Sequence, residues 1–295
     1  MVCPRQSHVF DLDDLYELIF PADRKVNGYM CMIYHSFLDD SKDKGMKRIM
    51  VSAGFCGTQE RWAAFRADWR KKLKEHRLCY FKSSECWHVN GQFAKLRKSG
   101  KSYPTTEERA LARKIRSEFL DVIRAHPFIR GIGVAVQLEH YRRYAAMPRV
   151  REVLPENPYK AALSSVMFET VGFIRMACKW DTNMVAFVHD ESDDFPELWR
   201  CYSGFKDLNK KTAKFIGGFQ SMDDKKTPEL QAADLIANHA TYLANKRLDL
   251  RDAVVEMREN ISLLGIWDEE YIKSGLTRNL IKNGIPLPVE LGSSK

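Results

Sequence analysis

Residues 29–41 read Tyr-Met-Cys-Met-Ile-Tyr-His-Ser-Phe-Leu-Asp-Asp-Ser, an apolar run that stops abruptly at Asp39, Asp40 and Ser41. A β-rich run closed by acids reads as a strand delivered to a polar edge. A second strand-like run, Arg48 to Cys56, follows the polar turn Ser41 to Lys47, so the pair predicts a hairpin. Asn183 to Val188 is again continuously apolar and ends in His189, Asp190 and Glu191. An unbroken run of that length fits a strand covered on both faces. Leu78 to Phe81 reads as a short strand running into Lys82-Ser83-Ser84-Glu85, and Phe128 to Leu138 as a longer one ending at Glu139.

Helical periodicity fills the intervals. A lead helix is expected over Asp11 to Phe20. Thr58 to His76 carries Trp62, Phe65, Trp69 and Leu73 at helical spacing, with Thr58 available as its cap. Thr106 to Ala125 places Leu111, Ile115, Phe119, Val122 and Ile123 on one face, and Pro158 to Trp180 has too few charges to be exposed all round. Pro228 to Asn245 is a further helix. Strands alternating with helices predict an α/β domain with a mixed, partly parallel sheet flanked by helices. With no long linker, that domain spans 1–247 (core about 29–245), and 248–295 reads as a C-terminal helical extension and tail.

The chain has 295 residues, 44% hydrophobic and 29% charged, which excludes a disordered or fibrous class. Its net charge of +8 suits a polyanionic partner or, equally, a solubilising surface. The seven cysteines form no C-x-x-C pair, so a disulfide framework or zinc site is not expected. No secretory pattern opens the sequence and no apolar stretch suffices to span a bilayer, so the expectation is a cytoplasmic protein without membrane contact.

Ligand chemistry in open α/β sheets gathers outside the carboxyl ends of the strands. Two apolar strands here end in acids, Asp39 with Asp40 and Asp190 with Glu191. Each pair alone is read more readily as a turn or cap; the coincidence of two points to a site. A third acid, Asp234, sits in Leu-Gln-Ala-Ala-Asp-Leu-Ile-Ala-Asn (230–238), where small and apolar neighbours imply tight internal packing. Gln231, Asp234 and Asn238 share one stripe of that helix. A buried carboxylate needs a compensating partner, either a basic side chain or a metal. Hard divalent ions take oxygen ligands, and two of them roughly 3.5–4 Å apart support phosphodiester cleavage. Neither a Walker loop nor an H-E-x-x-H helix competes.

Phe37-Leu38-Asp39-Asp40-Ser41, Val188-His189-Asp190-Glu191 and Leu230-Gln231-Ala232-Ala233-Asp234-Leu235-Ile236-Ala237 occur in the order of three motifs of a bacterial family catalogued as domain of unknown function 3800, which this chain resembles over roughly Met30 to Asn245. Asp40 stands where that family usually has Glu, and Lys42 where a small residue follows the serine. The resemblance implies a ribonuclease-H-like fold and, by analogy, a magnesium- or manganese-dependent nuclease acting on DNA or RNA. Its metal ligands would be Asp39, Asp190, Asp234 and Glu191. The fourth catalytic acid stays open. The resemblance favours Glu85, with Lys82 beside it to stabilise phosphate charge; topology favours Glu139, and Glu169 is a remote third choice. The segment Lys95, Arg97, Lys98 and Lys101, interleaved with Ser and Gly, is expected to be a mobile loop that contacts the nucleic-acid backbone. The competing reading is a non-catalytic nucleic-acid-binding or assembly subunit of a defence or mobile-element system, working with a protein partner or a second copy. A phosphatase using the same metals is a third.

Overall fold

A computed structural model describes residues 32–43, 45–154, 157–177, 183–191, 195–246, 262–288 and 291. The expected lead helix, Asp11 to Phe20, lies outside them. Strands β1 (Ile33–Lys42) and β2 (Ile49–Thr58) form the hairpin, in register from Tyr34 opposite Thr58 to Lys42 opposite Met50. The Asp43 carboxylate closes its turn by accepting from the backbone N–H groups of Lys47, Arg48 and Ile49 at 3.1, 3.0 and 2.8 Å. Helix α1 (Gln59–Glu75) follows directly. Thr58 stands at its N-cap without a side-chain capping bond, because it is still the last rung of β2 opposite Tyr34.

Then come α2 (Ser83–His88), a 3₁₀ turn (Gly91–Leu96), α3 (Thr106–Arg124), β3 (Arg130–Gln137), α4 (Leu138–Ala145), α5 (Pro158–Ala177) and β4 (Met184–Asp190). The chain continues through α6 (Phe195–Leu208), α7 (Lys210–Ala213), β5 (Ile216–Met222), α8 (Pro228–Lys246), β6 (Ser262–Trp267) and α9 (Glu269–Lys282).

The six strands make one mixed sheet in the order β5-β4-β1-β2-β3-β6. β1 is antiparallel to β2 and β2 to β3, whereas the β1–β4, β4–β5 and β3–β6 pairs are parallel; β2 alone therefore runs against the rest. Side-chain alternation gives the sheet two buried faces. Phe37, Val51, Ala53, Phe55 and Val188 meet α1, α3 and α8 on one side. Leu38, Met50, Val134, Val136, Val185 and Phe187 meet α4, α5, α6 and α9 on the other. The chain is thus an α/β protein whose mixed sheet is sandwiched between helical layers.

Several expectations change. Leu78 to Phe81 forms no strand: the Leu78 N–H returns to the Leu73 carbonyl at 2.8 Å, and side chains take the N–H groups of Cys79 (Gln92) and Phe81 (Gln231) at 2.9 and 3.0 Å. In the segment read as a C-terminal helical extension and tail, Ser262–Trp267 is a strand paired with β3, while Glu269–Lys282 is helical. Of the expected inward face of α3, Ile115, Phe119, Val122 and Ile123 are buried, but Leu111 is 43% exposed and Ala112 takes its place. Cys79 is disulfide-bonded, a pairing that sequence spacing does not reveal. Among the described residues no helix is long and apolar enough to cross a membrane.

Gly54 marks the closest approach in the sheet, since a Cβ there would lie 1.8 Å from the Phe37 carbonyl oxygen. Gly54→Ala must therefore push β1 and β2 apart and is expected to cost about 2 kcal/mol or more. Urea unfolding reads this, and an unchanged midpoint would show that the hairpin yields freely.

Candidate functional site

Two strands and their register bring the first acids together. Leu38 pairs with His189 across the parallel β1–β4 ladder, so Asp39 follows beside Asp190. Asp39 shares the parity of Phe37, and Asp190 that of Val188, which places both on the sheet face covered by α8. Asp190 pairs in turn with Met222, the last residue of β5, and Asp223 and Asp224 come immediately after. From α8, Asp234 reaches the same place. Lys82, at the N-cap of α2, closes the group.

The Lys82 ammonium is the hub. It pairs with Asp190 Oδ2 at 3.5 Å and, more closely, with Asp224 Oδ2. Asp39, Asp224 and Asp234 are only 8%, 7% and 9% exposed. Burial, with Asp234 and Asp40 next in weight, pushes the Asp39 carboxyl well above the usual carboxylate range against the pull of Lys82. Burial likewise raises Asp234 to about 6, opposed by Lys82 and by the Ser83 N–H. Asp190 is raised by burial and by Asp224. Burial works against the charge on Lys82, but Asp234, Asp224 and Asp39 overcome it and hold the lysine above its ordinary value. Four acids share one cation.

Each carboxylate also has an oxygen committed to the protein. Asp39 Oδ1 accepts from the Asp40 N–H at 2.8 Å, Asp190 Oδ1 from the Asp224 N–H at 3.3 Å, and Asp234 Oδ2 from the Ser83 N–H at 2.5 Å. Among the described residues no three His, Cys, Asp or Glu side chains stand in ligating position around one point.

The other expected site residues lie elsewhere. Glu191 has the opposite strand parity to Asp190 and is exposed, so it leaves the cluster. Asp40 and His189 also face the far side, where the Tyr159 hydroxyl lies 3.3 Å from Asp40 Oδ1 and 2.9 Å from His189 Nε2. Glu85 is a structural clamp: it accepts from the Tyr80 hydroxyl at 2.9 Å and the Gln92 N–H at 2.7 Å. Glu139 is exposed in the first turn of α4, beyond the end of β3, whereas the residue level with Asp39 on that strand is Gly133. Glu169 is exposed on α5, across the sheet.

The expected mobile loop is tied down. Lys95 Nζ donates to the His76 and Arg77 carbonyls, both at 2.6 Å, and Arg97 to those of Lys101 and Ser102 at 2.5 and 2.7 Å. The Glu108 carboxylate accepts from the Lys98 and Ser99 N–H groups at 2.7 and 2.9 Å. Only Lys98 and Lys101 keep side chains exposed without a described partner.

Asp224 is the acid that the sequence reading missed, and the signal was present: Asp223-Asp224 follows Met222 just as Asp39-Asp40 follows Leu38. Gln231, which the sequence places on the polar stripe with Asp234 but gives no role, is a buried clamp. Its Oε1 accepts from the Trp69 indole and the Phe81 N–H at 2.9 and 3.0 Å, and its Nε2 donates to the Asp224 carbonyl at 2.9 Å. Comparison with protein-family models and with curated proteins finds no match to this chain.

Two predictions follow from the electrostatics and from this amide. Asp39, Asp190 and Asp234 are all raised, and burial also lifts Glu229 to about 7 despite its ion pair with Arg66 at 2.9 Å. An acid that holds its proton more tightly when folded stabilises the fold fully below its unfolded pKa of about 4, and that stabilisation drains away as pH rises through the folded value. In chelator, urea stability should therefore fall between about pH 4 and pH 7, with Asp234 accounting for roughly 2–3 kcal/mol. Asp234→Asn should flatten the curve and hold or raise stability at neutral pH; a marked loss there would make the Lys82 attraction dominant. Gln231→Leu leaves two buried N–H donors without acceptors and is expected to cost about 2–4 kcal/mol. Native-state hydrogen exchange should accelerate at the Phe81 amide, and unchanged protection there would rule out the bond.

Proposed function

We propose that this chain is a metal-dependent nuclease that hydrolyses phosphodiester bonds of nucleic acid, with Asp39, Asp190, Asp234 and Asp224 as the acids that hold magnesium or manganese. The observation that carries the reading is four largely buried carboxylates gathered around a single ammonium. Burying that much like charge is unfavourable unless a cation joins it. The donor set is all oxygen, as hard divalent ions prefer. When bound, such an ion supplies Lewis-acid polarisation of a phosphoryl oxygen and activation of a water.

The chain's own residues have separable tasks. Asp39 and Asp190 are fixed by adjacent strands, so their spacing is set by the sheet ladder. Asp234 is aimed by the Ser83 N–H, and Asp224 by the Gln231 amide on its own carbonyl. Lys82, whose side chain is 27% exposed, neutralises the acids until a ligand arrives and then offers its ammonium to a phosphate oxygen. A ribonuclease-H-like fold is part of the same reading. It is supported by the adjacency of the acid-bearing β1 and β4 at the sheet's centre, by the reversal of β2 alone, and by the order of the three motifs.

One observation favours a second reading. The acids are already engaged by Lys82 and by backbone N–H groups, and no ligating trio stands ready. A non-catalytic nucleic-acid-binding or assembly subunit would keep this cluster as a salt-bridge network.

Labelled DNA and RNA incubated with magnesium, manganese or chelator distinguish the two. Asp39→Asn and Asp234→Asn should each lower metal-dependent cleavage by more than about a hundredfold, while Glu139→Gln, at an exposed residue outside the cluster, keeps it. Cleavage that survives in Asp234→Asn would overturn the assignment. Absence of both cleavage and manganese binding by calorimetry would establish the non-catalytic reading.

A further inference from the structure

A cavity of about 550 Å³ opens beside the acid cluster, walled by α2, α3, α8 and the turn around residues 97–104. Its chemistry is uneven. Four arginines line it, Arg97, Arg109, Arg113 and Arg116, and no Asp or Glu does. Arg109, Arg113 and Arg116 follow one another at helical spacing along α3, so they form a single stripe. Glu108, next to Arg109 in sequence, turns its carboxylate to the N–H groups of Lys98, Ser99 and Thr105 and does not line the cavity. Among the described residues Arg97, Arg109 and Arg113 pair with no carboxylate, although Arg97 binds two carbonyls of its own turn.

Aromatic surface completes the walls. Trp87 is 41% exposed and meets Tyr242 edge-on, with ring centroids 5.0 Å apart. Tyr103 is 79% exposed. Large aromatic rings left in water beside arginines are what base stacking and phosphate contact together require. An acidic peptide would need the arginines alone, and a paired base keeps its faces stacked in its own helix and has none to offer these rings.

Resting on the nuclease reading for the identity of the polymer, we propose that this cavity binds an unpaired stretch of a single-stranded nucleic acid, seating a base against Trp87 and Tyr103 and phosphates against Arg109 and Arg113. Its placement fits that role. α2 begins with the Ser83 N–H on Asp234 and reaches the cavity with Trp87 four residues later, a rise of about 6 Å. Along α8, Asp234 and Tyr242 are eight residues apart, about 12 Å. The cavity and the acids therefore lie within the reach of one short strand.

The test is fluorescence anisotropy in chelator, where no metal-dependent cleavage intervenes, with short labelled oligothymidylate and oligouridylate. Arg109→Gln/Arg113→Gln should weaken binding about tenfold or more and flatten the slope of log affinity against log salt by about 0.7 per lost phosphate contact. Tyr103→Ala should weaken binding roughly tenfold with the salt slope unchanged. These side chains are exposed, so both variants should keep the wild-type urea midpoint. Unaltered affinity in both variants would overturn the site. So would equal affinity for a blunt duplex, equal competition by polyglutamate, or a mononucleotide binding as tightly as the oligomer. Arginine-dependent strand binding without cleavage under any metal would sink the nuclease chemistry and leave the cavity assignment standing; cleavage with arginine-independent binding would do the reverse.

Discussion

The Gln231 side-chain amide is the constraint on which the site depends. It is 1% exposed, and it links three segments that share no strand ladder. Through Oε1 it holds α1 by the Trp69 indole and the approach to α2 by the Phe81 N–H; through Nε2 it holds the β5–α8 connection by the Asp224 carbonyl. Lys82 is the residue after Phe81, so one amide fixes both partners of the Lys82–Asp224 ion pair at the level of backbone. A buried polar network of this kind is stable because all its members are satisfied, and it specifies one arrangement for the same reason. An apolar residue of equal volume would fill the space and leave the two loops unregistered.

That precision is needed because the cluster is unfavourable on its own. Desolvation raises Asp39, Asp190 and Asp234 together, and each acid makes its neighbours harder to ionise. Lys82 offsets part of this charge. The rest is carried by the surrounding core, where Trp62, Phe65, Trp69, Phe81 and Phe119 are all buried beneath the same face of the sheet. Trp69 belongs to both systems: its ring packs 4.7 Å from Phe119, centroid to centroid, and its N–H donates to Gln231. Apolar burial thus holds the polar network in position, which is how a strained site is sustained by structure elsewhere.

Legibility in the sequence followed the apolar runs. β1, β2 and β4 are interior strands whose apolar runs disclosed them, and the acids that close the β1 and β4 runs disclosed Asp39 and Asp190. α8 disclosed Asp234 through its small, apolar neighbours. β5 is an edge strand, Ile-Gly-Gly-Phe-Gln-Ser-Met, with two inward residues among seven, so neither it nor Asp224 at its end stood out. Leu78 to Phe81 misled because its apolar ends are both buried, but they stand three apart, out of step with a strand, and side-chain amides replace the neighbouring strand. The Lys95 to Lys101 segment misled by composition: its Ser, Gly and Lys content says nothing of Glu108, whose carboxylate gathers the backbone from a helix away.

Glu85 shows why residue type alone does not assign a role. It lies in α2, between the residue that meets the acids and the residue that meets the cavity, as a ligand would. Its oxygens instead take the Tyr80 hydroxyl ahead of the helix and the Gln92 N–H behind it, while the Asn90 N–H returns to its carbonyl at 3.0 Å. The chain can wrap it this tightly only because Val89 and Gly91 adopt φ of +50° and +49°. At Gly91 a Cβ would lie 2.1 Å from Glu85 Oε2, so glycine is required by space as well as by torsion. At Val89 a β-branched residue accepts an unfavourable torsion because its side chain is fully buried, at 0% exposure. A helix of six residues has little cooperative stability of its own. Clamped at both flanks by Glu85, it becomes rigid enough to hold Lys82 and Ser83 against the acids at one end while Trp87 faces the arginine-lined cavity at the other.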